Sequence, residues 1–115
     1  MDNQLTKDSE YLLCVLYQKY ISRCASGVPK SKAKNFSSSK EIQSDLIPNL
    51  TPENTDETCR ELDRAGMLVV LYASDIVYSV ALSDAGIIYM ENRFQKKLSK
   101  IFDRIEQLKN IITPF

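Results

Sequence analysis

Residues 51–86 read TPENTDETCRELDRAGMLVVLYASDIVYSVALSDAG, and this stretch decides the fold. It opens with Thr51 as a helix N-cap, then a proline at the first helical position and an acidic residue near the positive helix end. Gly66 has the position of a C-terminal cap, so the pattern predicts a helix from Pro52 to Arg64. The buried face of this helix has residues spaced four and then three apart: Thr55, Cys59 and Leu62.

Two strands follow this helix. Residues 67–73 and 76–82 are rich in β-branched and aromatic side chains, and only Ser74 and Asp75 separate them. This spacing predicts a tight β-hairpin. Because apolar residues occupy both faces of the strands, we expect the hairpin to be covered or to form a contact surface; a hairpin with one face in water would alternate more strictly.

A first helix precedes this unit. Thr6 is its predicted N-cap, with acidic residues in the first turn, and Gly27 and Pro29 stop it. Its apolar residues form a broad girdle at helical spacing. Such a girdle indicates that neighbouring elements cover the helix on more than one side.

A polar connector, residues 30–40, joins the first helix to the second. Phe36 is its only large apolar residue and is expected to anchor a very short strand. The sequence Ser38-x-x-Glu41 is a capping box, which predicts a short second helix ending at Pro48. Two residues of this helix should face inward: Ile42 and Leu46.

The C-terminal part of the chain is amphipathic. Ser83 to Gly86 caps a last helix that can run to about residue 110, before Pro114. We predict that its apolar seam pairs two copies of the chain as a homodimer, against the mate's terminal or first helix; the alternative is a fold-back onto the first helix of the same chain. The seam residues repeat at spacings of four and three, as in a heptad: Phe94, Leu98, Ile101, Ile105, Leu108 and Ile112.

The order helix, short strand, helix, helix, hairpin, helix is that of a winged helix-turn-helix domain, an α+β fold. Residues 61–68 (ELDRAGML) and 81–90 (ALSDAGIIYM) resemble recurring segments of that superfamily, in which the third helix ends at glycine, a hairpin wing follows and Leu-Ser-x-x-Gly starts the next helix. The resemblance covers about residues 6–92. It implies a winged helix-turn-helix domain over residues 1–92 and a C-terminal amphipathic helix, a dimerisation element, over residues 93–115.

Within that superfamily the chain is most similar to the YjcQ-like small proteins of Firmicutes chromosomes and prophages. The long terminal helix also resembles, less closely, that of PadR-type regulators, which dimerise through such a helix. A fold of this kind raises the expectation of DNA binding, but the function depends on the residues of the site.

The residue inventory excludes most catalytic chemistry. The 115 residues contain no histidine, which removes Ser–His and Cys–His nucleophiles, HExxH metalloprotease sites and histidine-ligated zinc. The three cysteines, Cys14, Cys24 and Cys59, form no CxxC pair, and we interpret them as buried reduced thiols. The sequence contains no glycine-rich phosphate loop. We therefore expect no enzyme, no cofactor and no metal site.

The predicted location is cytoplasmic. Residues 1–5 are acidic and lack the basic and apolar regions of a signal peptide. No apolar run approaches the ~18 residues that a transmembrane helix needs. Reduced cysteines fit a reducing compartment.

The first binding hypothesis is a transcriptional-regulator-like contact with DNA. The resemblance implies that the third helix enters the major groove and that the wing approaches a minor groove or the backbone. The chain has 15 basic and 15 acidic side chains, so any positive surface must be local. The candidate DNA contacts are the connector lysines, for phosphates, and polar residues of the third helix, for base edges: Lys30, Lys32, Lys34, Lys40, Asn54, Arg60 and Arg64.

The alternative hypothesis is a protein–protein interaction module that docks through the acidic third helix and the apolar hairpin. The third helix has five acids and two arginines, a net charge of −3, and the hairpin tip at residues 73–75 has no base. Phosphate contacts require cations, so this sign favours a protein partner, for example a host protein that a prophage or mobile-element factor binds or inhibits. The acidic candidates for partner contact are Glu53, Asp56, Glu57 and Glu61. The sequence identifies neither the operator, the partner nor any small-molecule effector.

Overall fold

The computed structural model describes residues 5–112, which form an α+β domain of six helices and one three-stranded antiparallel sheet. Residues 1–4 and Pro114, on which parts of the location and helix-end predictions rest, lie outside the described residues. The elements in chain order are α1 (Lys7–Ala25), α2 (Lys30–Ala33), β1 (Asn35–Phe36), α3 (Ser39–Leu46), α4 (Pro52–Arg64), β2 (Leu68–Ala73), β3 (Ile76–Leu82), α5 (Asp84–Phe94) and α6 (Leu98–Ile112).

Four helices begin at the side-chain caps that the sequence predicts. Each cap oxygen accepts a hydrogen bond from the backbone N–H three residues later, at 2.9–3.3 Å. These contacts satisfy donors that the first helical turn leaves without a partner. The caps are Thr6 for α1, Ser38 for α3, Thr51 for α4 and Ser83 for α5. At the other end of α4, Gly66 has φ +80°, as a C-terminal glycine cap requires.

The sheet has the strand order β1-β3-β2. The predicted short strand at Phe36 is confirmed, and Phe36 pairs with Val80 at the centre of β3. The predicted hairpin is also confirmed: Ser74 and Asp75 both have positive φ, 52° and 64°, which matches a two-residue turn between right-twisted strands. The hairpin therefore ends in a tight, polar tip.

The core surrounds α1, whose residues from Ser9 to Tyr17 are all buried. Helix α6 packs along one side of α1, while α4, α2 and α5 pack elsewhere on it. The expectation that α1 is covered on more than one side is thus confirmed. One element was not predicted: the single turn α2, which begins after Pro29 and buries Ala33 within the polar connector.

The prediction of one long C-terminal helix is wrong. The helix that begins after Ser83 ends at Phe94, and Gln95 and Lys96 adopt left-handed backbone conformations with φ 53° and 61°. Helix α6 then turns back along α1. The physical reason is burial: the turn brings Ile101 and Leu108 into the core, where both are completely buried.

The apolar seam is therefore used within the chain. Phe94, Ile101 and Leu108 are buried in the core. The remaining seam residues are half-buried and pack against the same core: Leu98, Ile105 and Ile112. This arrangement is the fold-back alternative, and the homodimer stays a prediction.

One close approach fixes the start of α5. A Cβ at Gly86 would overlap the carbonyl oxygen of Met67, so only glycine lets α5 lie this near to the residue that precedes β2. Within the described residues, every helix falls short of the length or the hydropathy that crossing a bilayer requires.

Candidate interaction surface

Helix α4 and the hairpin tip form one surface, which Arg60 joins. The Arg60 Nε lies 2.6 Å from the Asp56 Oδ1, and its Nη2 donates to the Asp75 backbone oxygen at 2.6 Å. The guanidinium also lies over the Tyr72 ring, 5.1 Å from its centroid. The hydrogen bond to Asp56 raises the pKa of Arg60 further above its ordinary value. Arg60, a candidate for contact with nucleobases, is therefore bonded to Asp56 and Asp75 of its own chain.

Two other acids near α4 also bond within the chain. Glu61 accepts hydrogen bonds from the hydroxyls of Thr6 (3.0 Å) and Ser9 (2.7 Å), which tie the start of α1 to α4. Asp63 accepts a hydrogen bond from the Tyr72 hydroxyl at 2.7 Å, and this bond raises the pKa of Tyr72. The carboxylate of Glu61, a candidate for partner contact, is thus hydrogen-bonded within the chain, as is the carboxylate of Asp56.

The remaining charged side chains of α4, and the uncharged Asn54, project into solvent. Glu53 and Asn54 are exposed at the helix start. Glu57 is exposed one turn later and lies 3.4 Å from the Arg64 Nη2, in a pair whose side chains are both more than half exposed. The accessible face of α4 is therefore acidic at its start and neutralised at its end.

A groove runs beside the start of α4. Helices α3 and α4 and the hairpin tip line it, with Lys40, Pro52, Glu53 and Asp56 on its sides. Ile76, from the first position of β3, is 59 % exposed and lies in the same groove. The groove thus combines apolar surface with two carboxylates and one ammonium group.

The structure does not bring all four predicted lysines to α4. The Lys34 carbonyl accepts a hydrogen bond from the Leu82 N–H, and its ammonium lies 3.7 Å from Asp84. Leu82 ends β3, so Lys34 is about 20 Å along that strand from the hairpin tip. Lys30 lines a cleft with residues of α1 and α5, and Lys32 is exposed on the same short turn, α2. Of the four lysines, Lys40 is the one beside α4.

The outward face of the hairpin is apolar. Val69, Leu71 and Tyr78 are each more than half exposed. Their neighbours in the strands, Val70 and Val77, are buried against the core. Within the described residues nothing covers the outward face, so the expectation that the hairpin is covered is wrong, and its alternative, a contact surface, stays a prediction.

Two cysteines are buried thiols, as predicted. Burial raises the pKa of Cys14 and of Cys59 to about 12, so both are protonated at neutral pH and poor nucleophiles. Cys24 is only half-buried. Within residues 5–112 no three histidine, cysteine, aspartate or glutamate side chains come together in a group that could hold a metal ion.

A charged cluster that joins α1, α5 and α6 leaves no pattern in the sequence. Glu10 is buried, and its carboxylate pairs with Arg93 and accepts hydrogen bonds from Arg104 at 2.7 and 2.9 Å. The sequence gives Glu10 only the signature of an acid in the first turn of a helix. No local pattern connects it with two arginines that lie more than 80 positions away.

No protein-family model, curated protein or solved structure matches the chain. The family assignment therefore stays a prediction that rests on the residues and on the order of the elements.

Proposed function

We propose that this chain is a winged-helix protein that acts by binding another protein, without catalysing a reaction. Support for the fold assignment comes from the order of the elements and from the strand order β1-β3-β2, with the pair α3–α4 preceding the hairpin wing. The contact surface is the start of α4 together with the groove beside it. We call this surface, formed by Lys40, Pro52, Glu53, Glu57 and Ile76, the α4 surface.

The observation that carries the proposal is the position of Arg60. A helix that reads DNA needs a basic side chain at its centre that is free to contact the nucleobases, because arginine recognises guanine through two parallel hydrogen bonds. Here Asp56 and Asp75 occupy the Arg60 guanidinium. Releasing it for DNA would leave two carboxylates facing phosphates, which is electrostatically unfavourable.

The chemistry of the α4 surface defines the partner. Exposed Glu53 and Glu57 attract lysine or arginine side chains, and complementary charge steers association and fixes orientation. Ile76 and Pro52 offer apolar surface in the groove. The partner that fits is a basic protein segment that carries an apolar side chain as its anchor.

Contact with DNA is a second candidate. Its support is that Lys40 and Asn54 are both exposed where α3 and α4 begin, and that Lys30 and Lys32 are exposed on α2. In this arrangement the lysines would contact phosphates, while base reading by α4 would rest on Asn54 and on Arg64, whose pair with Glu57 is exposed and weak.

One pair of variants separates the two candidates. Glu53→Lys/Glu57→Lys reverses the exposed charge of α4, and Asp103→Lys/Glu106→Lys makes the same net change on α6 as a control. Partner capture from a lysate, followed by calorimetric titration of the purified partner, should show at least a tenfold weaker affinity for the first variant and no change for the control.

A low-salt gel shift with mixed-sequence duplex DNA completes the test. We expect no retardation of DNA by the unchanged chain. Retardation by the unchanged chain that weakens for all sequences when Lys30, Lys32 and Lys40 become alanine would replace the protein-binding proposal with the DNA candidate.

A further inference from the structure

The break between α5 and α6 has neither the glycine or proline that normally ends a helix nor the polar cap that normally starts the next one. Gln95 and Lys96 are adjacent non-glycine residues in the left-handed region, with φ 53° and 61°. That region is sterically unfavourable for residues with a Cβ other than asparagine and aspartate. No glycine or proline stands between Phe94 and Leu98. We call residues 95–97 the hinge.

The start of α6 is equally unfavourable. Its first intrahelical hydrogen bond runs from the Ile101 N–H to the Lys97 oxygen, so lysine occupies the N-cap position, which prefers serine, threonine, aspartate or asparagine. The four capped helices, α1, α3, α4 and α5, all have such a residue. Lys96, Lys97 and Lys100 also place positive charge at the positive end of the helix.

The apolar periodicity continues through the hinge without interruption. Phe94, Leu98, Ile101 and Ile105 follow one another at spacings of four, three and four, as in one uninterrupted helix. What bends the chain is the packing of α6 on α1, together with the bonds from Arg104 to Glu10. Local preference and long-range packing therefore conflict at the hinge.

A second copy of the chain resolves this conflict. An unbroken helix from Asp84 to Ile112 would be about 43 Å long at 1.5 Å per residue. The longest dimension of the folded chain is 35 Å, so α6 would project beyond its own domain. The site on α1 that α6 leaves would then accept α6 of the other copy, with the same contacts.

We propose that this chain forms a homodimer by exchanging α6, in which the hinge is helical and α6 of each copy packs on α1 of its mate. Glu10 then holds Arg93 of its own chain and Arg104 of the other. The packing of α6 on α1 is kept, while the bend with its two left-handed residues, its turn bond from Lys97 to Phe94 and the uncapped helix start are lost in each copy.

Hinge variants test the proposal by sedimentation velocity over a range of concentrations. Gln95→Gly/Lys96→Gly makes the left-handed hinge more stable and the continuous helix less stable, so the dimer dissociation constant should rise about tenfold or more. Lys109→Gly/Asn110→Gly is the control, because these exposed residues are helical in both states, lie far from the hinge and make the same change in charge, so the constant should stay unaltered. Gln95→Ala/Lys96→Ala should lower it.

Charge exchange tests whether the dimer is swapped. Glu10→Arg and Arg104→Glu each disrupt the cluster within one chain, so each variant alone should be destabilised. In a swapped heterodimer of the two, each cluster again holds one carboxylate and two guanidinium groups, so mixing should restore stability and give a heterodimer. This readout holds even if neither variant folds alone.

Three results would overturn the proposal. One is a chain that sediments as a monomer at every concentration, including after refolding at high concentration. Another is a dimer whose dissociation constant is the same in the glycine hinge variant. The third is a dimer of the unchanged chain with no complementation between the two charge variants, because that dimer would use another surface.

Discussion

Two charged clusters, one around Glu10 and one around Arg60, each join distant elements through one central side chain. In the buried cluster an acid, Glu10, holds two bases, and its side chain is 7 % exposed. In the surface cluster a base, Arg60, holds two acids, one of which, Asp75, is 94 % exposed. The arrangement is the same with the signs reversed, but the surroundings differ.

The difference teaches that burial decides what such a cluster contributes. At Asp75 water screens the charges and competes for the hydrogen bonds, so an exposed pair contributes little. At Glu10 burial alone would raise the pKa of the carboxyl group. The hydrogen bond from Arg104 and the positive charges of Arg93 and Arg104 outweigh burial and hold that pKa below its ordinary value.

The largest effect is expected from Glu10→Gln. This variant keeps the shape of the side chain but leaves two partly buried guanidinium groups without their anion, which should lower the free energy of unfolding by about 3 kcal/mol. Urea denaturation of the variant and the unchanged chain measures the loss. Asp8→Asn is the matched control in the same helical turn, with an expected loss below about 1 kcal/mol. Equal losses in the two variants would show that the buried cluster does not stabilise the fold.

The same cluster should make the chain sensitive to acid. A carboxyl group with a pKa lowered in the folded state contributes its full stabilisation above its ordinary value of 4.5 and loses it as the pH falls through the folded-state pKa. The stability difference between the unchanged chain and Glu10→Gln should therefore be constant near neutral pH and shrink below about pH 4.5. A difference that does not change in acid would contradict the assigned pKa direction.

The sequence predicts those parts of the fold that depend on contacts between residues close together in the chain. Each of the caps Thr6, Ser38, Thr51 and Ser83 bonds to a backbone N–H three residues away, and the Ser74-Asp75 turn joins adjacent strands. Such contacts form from a few consecutive residues, so the sequence pattern alone is sufficient.

Contacts between residues far apart in the chain leave no local pattern from which they could be predicted. Glu10 and Arg104 are 94 positions apart. The packing of α6 on α1 ends α5 at Phe94, where the local pattern would continue the helix. At the candidate site, the sequence gives the negative charge of α4 but does not show that Asp56, Glu61 and Asp63 bond within the chain. A charge count cannot distinguish a free carboxylate from a paired one.

A smaller effect is expected within the buried cluster when one base is removed. Arg104 donates two hydrogen bonds to Glu10, and Arg104→Gln leaves Arg93 to balance the charge, so the loss should be about 1–2 kcal/mol. Arg93→Gln should have a smaller effect, because the two bonds from Arg104 remain. Denaturant titrations of both variants give this order, and a larger loss for Arg93→Gln would reverse the assignment of the main partner.

The smallest effect on overall stability is expected at the surface cluster. Arg60→Gln removes the link between α4 and the Asp75 backbone, yet both acids can turn to water, so global unfolding should change far less than in Glu10→Gln. The local effect should be larger, because the tip then loses the Arg60 bond to α4 and keeps the one from Tyr72 to Asp63, so it opens more readily than the core. Hydrogen exchange at residues 72–77 should therefore accelerate, whereas Arg64→Gln, which removes another exposed pair of α4, should leave it unaltered. A global loss as large as that of Glu10→Gln would mean that the hairpin tip and the core unfold as one unit, and exposure would then not be what separates the two clusters.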